Sequence, residues 1–222
     1  MSITSQPSLI LFDCDGTLTD SHGAIVEAMQ LAFQRNDLEQ PAADAVNGVI
    51  GLSLHEAVRR LLPGHKPEDE LFEGIMQGYR ECYRIAESHI SLYPDVCEVL
   101  AELKQRGYWL GVVTGKSLPG LQRVLDTFAL RDYFYVLRTA DCTHSKPHPA
   151  MVNECMTEMG IKADRTVVVG DALFDVQMAK AAGVPCIGVS FGVGERDALL
   201  QAGAEVVVDH FSTLLDHFPP LA

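Results

Sequence analysis

The chain lacks a close-spaced cysteine pair, a bilayer-length apolar run and a basic tract. Its six cysteines, Cys14, Cys82, Cys97, Cys142, Cys155 and Cys186, form no C-x-x-C motif. That excludes a zinc knuckle or a thioredoxin-like dithiol. Cysteines scattered among apolar residues are those of a reduced interior. No apolar stretch reaches the roughly 20 residues a spanning helix needs. The first residues also lack the basic start and long apolar segment of a secretory signal. The expectation is a cytoplasmic protein with no membrane partner. Lys and Arg number 17 against 30 Asp and Glu, a formal net charge of −13. Nucleic acid is therefore not an expected partner, because phosphate backbones demand a basic surface. Any anionic ligand must be met by positive potential concentrated locally.

What is present is an ordinary globular composition. The 222 residues are 47% hydrophobic, enough to bury a sizeable core. Short apolar runs recur at Leu9–Phe12, Trp109–Val113, Thr166–Val169 and Pro185–Val189, with Glu205–Val208 as a last edge strand. Continuous apolar strands of this length suit a parallel sheet covered on both faces. Helical patterns follow them over Pro94–Gly107, Leu118–Leu130, Pro149–Met159 and Phe174–Ala182. This alternation predicts an α/β fold with a doubly wound parallel sheet. Between about Ser21 and Ser91 the rhythm breaks. Only helices are expected there, over Ala24–Arg35, Ser53–Leu62 and Glu68–Glu87. An all-helical insertion after the first strand would lie over the carboxyl ends of the strands, where open α/β sheets bind ligands.

Four segments at predicted strand ends carry candidate chemistry. The first is Asp13-Cys14-Asp15-Gly16-Thr17. Two carboxylates two residues apart, beyond a strand, repel unless a cation or a proton intervenes. A hard divalent cation suits them. One could then attack phosphorus while the other protonates the leaving oxygen. An acidic turn is the plainer alternative for this segment alone. The second segment, Thr114-Gly115-Lys116-Ser117, offers a hydroxyl and N–H groups at a helix start, which suits an anion but equally a helix cap. The third, Ser145-Lys146-Pro147-His148-Pro149, holds Lys146 in a rigid turn, either beside a phosphate or as a solvated lysine. The fourth runs from Val167 through Gly170 and Asp171 to Asp175, one helical turn further on. Asp171 is either a metal ligand or the cap of the next helix, and Asp175 a support for the metal or the lysine.

Together, in this order, the four segments resemble the motifs of the haloacid dehalogenase-like hydrolase superfamily, over nearly the whole chain. The Leu92-Tyr-Pro-Asp-Val stretch and the Gly51-Leu-Ser-Leu segment resemble its phosphoglycolate-phosphatase-like members. The resemblance implies a Rossmann-like core of residues 1–20 and 91–222, with a helical cap over residues 21–90. It implies Asp13 as nucleophile and Asp15 as general acid/base. Thr114, Gly115 and Lys146 would bind the phosphoryl group. Mg²⁺ would be held by Asp13, the backbone carbonyl of Asp15, and Asp171, with Asp175 behind them. The substrate would be a small phosphorylated metabolite. The sequence departs from the pattern twice, with Ala172 where many relatives carry Ser or Thr, and Gly115 where many carry Asn.

Asp15 favours phosphoryl chemistry over dehalogenation, because a halide leaves without needing a proton. A β-phosphoglucomutase-type reading lacks its arginine in the Gly51–Glu56 region. Pyrophosphate or sugar phosphates remain alternative substrates, and a non-catalytic binding protein is the alternative of a different class. His55, Arg59, Arg80, Arg84, Ser53 and Lys116 are the candidates to line the cap side of the site.

Overall fold

The computed structural model describes residues 8–67 and 69–221. Strand β1 (Leu9–Phe12) leads through β2 (Thr19–Asp20) to four helices, α1 (His22–Arg35), α2 (Ala43–Asn47), α3 (Leu54–Leu61) and α4 (Glu70–Ala86). The chain returns at β3 (Ser91–Leu92). It then alternates through α5 (Val96–Gln105), β4 (Trp109–Thr114), α6 (Leu118–Thr127), β5 (Phe134–Thr139), α7 (Ala150–Met159), β6 (Thr166–Gly170), α8 (Leu173–Ala182), β7 (Cys186–Val189), α9 (Arg196–Ala202) and β8 (Val206–Val208). Six strands form one parallel sheet in the order β5-β4-β1-β6-β7-β8. The doubly wound α/β fold expected from the sequence is present.

Alternation along β1 shows why this strand sits at the centre. All four of its residues are buried. Ile10 and Phe12 face the layer built by Val96, Leu100 and Leu103 of α5 and Leu121 and Leu125 of α6. Leu9 and Leu11 face Met151 and Cys155 of α7 and Met178 of α8. A strand with period-two side chains and helices on both faces must be apolar throughout. Helices α1 to α4 bury a separate cluster, with Met29 and Phe33 of α1 packed against Phe72 and Ile75 of α4. The two chain crossings between sheet and helices lie side by side, because β2 and β3 pair antiparallel, Thr19 with Leu92 and Asp20 with Ser91.

Besides the two-residue strands β2 and β3, the structure adds three elements to the sequence reading. Strand β5 is an edge strand with Tyr135 exposed and Arg138 near its end, and its short apolar run Phe134–Leu137 is not among the strands expected from the sequence. Helices α2 and α9, of 5 and 7 residues, are too short to display a helical period. Boundaries also move. Helix α5 starts two residues after Pro94, because Asp95 adopts φ 66°. Helix α6 stops at Thr127, short of Leu130, ahead of Ala129 at φ 54°. Helix α4 begins at Glu70, and the expected start at Glu68 lies outside the described residues. No helix among the described residues is long and apolar enough to cross a membrane.

Leu100 is fully buried between α5 and the sheet, whereas Ile85 is 68% exposed. Leu100→Ala should therefore cost about 2–5 kcal/mol of stability. Ile85→Ala should stay within about 0.5 kcal/mol. Urea denaturation of both variants checks this, and equal effects would contradict the assigned core.

Candidate active site

Parallel pairing brings the four segments to one edge of the sheet. Phe12 stands level with Val112 of β4 and Val169 of β6, so the residues beyond these strand ends emerge together. Asp13 follows β1, Thr114 ends β4, Lys146 follows β5 and Asp171 follows β6. The local turns fit this convergence. Gly16 has φ 83°, and a Cβ there would fall 2.1 Å from Asp171 Oδ2. Only glycine lets the first segment turn this close to the fourth.

At the bottom of the site, one ammonium faces three carboxylates. Lys146 Nζ lies 2.8 Å from Asp13 Oδ1 and 2.7 Å from Asp175 Oδ1. The Cys14 N–H also donates to Asp13 Oδ1, at 2.7 Å. Asp175 Oδ2 accepts the Ala172 N–H at 3.0 Å, so Asp175 fixes the start of α8. Asp171 is held from both sides, with Thr17 Oγ1 donating to Oδ1 and the Val193 N–H to Oδ2, each at 2.9 Å. Capping α8 is therefore not the work of Asp171. Asp13, Lys146, Asp171 and Asp175 are all buried to within 1%.

Charge does not balance in this group. Burial raises the Asp13 carboxyl well above its usual range, and Lys146 only partly opposes that. Burial, with the charge of Asp175 added, pushes Asp171 up to about 7 against its hydrogen bonds from Val193 and Thr17. Burial disfavours the Lys146 ammonium, but Asp13 and Asp175 outweigh it and raise its pKa. Asp13, Asp171 and Asp175 each offer a carboxylate oxygen within 4.8 Å of the others. Asp13 Oδ2 is buried with no hydrogen-bond partner among the described residues. Buried charges of one sign require protons or a cation. An unpartnered carboxylate oxygen within an all-oxygen group fits a hard divalent cation.

Asp15 points elsewhere. Its Oδ1 accepts from Ser21 Oγ at 2.5 Å and pairs with Lys116 Nζ at 2.9 Å. Its carboxylate thus lies apart from the Asp13–Asp171–Asp175 group. Lys116 Nζ also donates to the Tyr83 hydroxyl of α4, at 2.6 Å. Burial opposes this ammonium too, and Asp15 outweighs it, so its pKa is raised.

The helical layer closes over this edge. The Ser53 N–H donates to Ser145 Oγ at 2.8 Å, and Arg123 of α6 pairs with Glu87 at 2.8 Å. A Cβ on Gly115 would lie 2.3 Å from the Leu52 carbonyl oxygen. Glycine at 115 thus admits the 51–53 backbone directly over the turn that follows β4. Gly51 in turn comes close to Ala172, where a Cβ would find the alanine methyl at 3.2 Å. Gly115 and Ala172 thus face the same 51–53 loop.

A cavity of about 500 Å³ lies between the two layers, lined by Asp13, Asp15, Thr114, Gly115 and Lys116 on the sheet side. Of the six candidates for its cap side, Ser53, His55, Arg80, Arg84 and Lys116 line it. Arg59 is not among the lining residues; it forms an exposed ion pair with Glu56 at 2.7 Å. His148 is a turn residue whose Nδ1 accepts the Ala150 N–H at 3.2 Å. Sequence reasoning missed Thr17, Ser21, Tyr83 and Val193. Thr17 and Ser21 carry a signal, since hydroxyls close to the aspartate pair are natural donors to carboxylates. Tyr83 and Val193 are brought in only by folding.

The sequence profile of the haloacid dehalogenase-like hydrolases matches residues 10–189. A Dickeya dadantii protein named "Probable phosphatase IndB" is 37% identical over 213 residues, covering 93% of this chain and 91% of that protein. A phosphoglycolate phosphatase of Yersinia pseudotuberculosis is 30% identical over 210 residues, covering 93% of this chain and 90% of that one. Among solved structures, a hydrolase from Pseudomonas syringae superposes with a TM-score of 0.86 at 26% identity, covering 96% of this chain and 97% of its own. Fold, motif placement and these relatives agree: the chain belongs to the haloacid dehalogenase-like hydrolase family.

Proposed function

We propose that the protein is a Mg²⁺-dependent phosphomonoester hydrolase that works through an aspartyl-phosphate on Asp13. The observation that carries this is the buried, unpartnered Asp13 Oδ2 beside Asp171, at the floor of a cavity that Asp15 also lines. The phosphatases among the relatives support the reaction class.

Asp13, Asp171 and the main-chain carbonyl of Asp15 would hold the cation, with Asp175 behind them. Bound there, Mg²⁺ supplies positive charge against the phosphoryl oxygens and the aspartates. Thr114 Oγ1, the Gly115 N–H and Lys146 cradle the phosphoryl group. An Asp13 oxygen attacks phosphorus and the ester P–O bond breaks. Asp15 gives its proton to the departing alcohol oxygen. Asp15, now ionised, takes a proton from water as that water attacks phosphorus. Inorganic phosphate leaves and the Asp13 carboxylate is restored. Lys116 and Ser21 aim Asp15 for both steps. Residues 21–90 act as a cap over the core formed by 1–20 and 91–222. The few polar contacts at Ser53, Lys116 and Arg123 hold it shut, and the paired β2 and β3 lie at its base.

Asp13→Asn should abolish phosphate release from p-nitrophenyl phosphate with Mg²⁺, because an amide is a poor nucleophile. Turnover near the unsubstituted rate would remove Asp13 from this role.

A pH dependence follows from the buried carboxylates. Asp171 binds its proton up to about pH 7 in the folded, metal-free chain, and its reference value is 3.8. Between those values the folded state holds the extra proton, so stability falls as pH rises through the window. The slope is at most about 1.4 kcal/mol per pH unit for each such group. Denaturation in chelator should show this fall, and Mg²⁺ should restore stability above pH 7 by binding the ionised form. A flat profile, unchanged by Mg²⁺, would contradict the charge balance described for the site.

A further inference from the structure

The cavity above Asp13 is large and its deeper wall is apolar. At the ~30 Å³ that a water-sized group occupies, its 500 Å³ has room for roughly 17 such groups. Its far side is formed by Ile25 and Met29 of α1, Val46 of α2, Ile50 after it and Met76 of α4. Tyr79 and Tyr83 add a ring face, stacked at 5.5 Å with an interplanar angle of 15°.

The buried charged lining is already committed, and the other basic lining residues, His55, Arg80 and Arg84, are exposed. Among the lining cations Lys116 is the buried one, and it is bound to Asp15 and Tyr83. Arg123 is paired with Glu87. Arg80 and Arg84 are exposed, where water screens them. A carboxylate one carbon away from the ester oxygen would thus meet apolar side chains, or would have to take Lys116 from Asp15. Burying it unpaired is strongly unfavourable. An apolar or ring-bearing body, in contrast, fills the wall and stacks against the tyrosines.

We infer that the alcohol released by this enzyme is uncharged and carries an apolar, ring-sized body, and is not a short carboxylate such as glycolate. The inference rests on the phosphomonoesterase reading of the site and adds the class of its leaving group. The Yersinia relative's name specifies phosphoglycolate; the prediction for this chain is the opposite preference.

The test compares benzyl phosphate with phosphoglycolate, both esters of primary alcohols, using the full chain with Mg²⁺. A parallel thermal-shift measurement compares benzylphosphonate with phosphonoacetate, which are not hydrolysed. Benzyl phosphate should show a kcat/KM higher by about tenfold or more, and benzylphosphonate the larger rise in Tm. Turnover with phosphoglycolate preferred, or within about tenfold of benzyl phosphate, overturns the inference and leaves the hydrolase reading standing. No phosphate from any ester, p-nitrophenyl phosphate included, but a larger shift with benzylphosphonate, overturns the hydrolase reading and supports the pocket's preference. No phosphate and no larger shift overturns both.

Discussion

Lys146, shared between Asp13 and Asp175 in a fully buried setting, is the contact on which the site depends. Each carboxylate alone would be expelled from such an interior or neutralised by a proton. The ammonium holds two of them at once, and so fixes the end of β1 against the start of α8. It does not balance the third, Asp171, whose oxygens are instead tied to Thr17 and Val193. The remaining imbalance leaves Asp13 Oδ2 without a partner and raises both Asp13 and Asp171. In a chain of net charge −13, this uncompensated buried group is where the proposed cation would sit.

A second, separate ion pair links the chemistry to the helical layer. Lys116 joins Asp15 on the sheet side to Tyr83 on α4. Positioning of Asp15 and closure of the layer are therefore coupled through one side chain. Gly115 allows the Leu52 backbone to descend to the same edge, and the Ser53–Ser145 hydrogen bond completes the contact. On the proposed reading, chemistry sits on rigid strand ends, and selectivity on helices joined to them by two short chain crossings.

Much of this was legible in the sequence because the central elements obey local rules. The run Leu9–Phe12 is apolar because both faces of β1 are covered, and the reading and the strand coincide. Asp13, Thr114, Lys146 and Asp171 were each ambiguous alone, and the structure brings all four to one edge of the sheet. What was not legible depends on distant contacts or on exposed positions. Strand β5 lies at the sheet edge, where Tyr135 is exposed and Arg138 closes its apolar run Phe134–Leu137. Lys116 read as one candidate for the cavity wall, yet its partner Asp15 is about a hundred residues away in sequence. The Val193 N–H has no side-chain signal at all. Arg59 was a reasonable candidate by proximity, but a neighbouring Glu56 on the same helix captures it.

The central claim is that Asp13 carries the phosphoryl group during turnover. Rapid acid quench of the enzyme during hydrolysis of a phosphorus-labelled ester, followed by peptide mapping, tests it most directly. The account predicts label on the peptide containing Asp13, lost at the rate of turnover. Label on another residue, or steady turnover with no labelled protein, would contradict it.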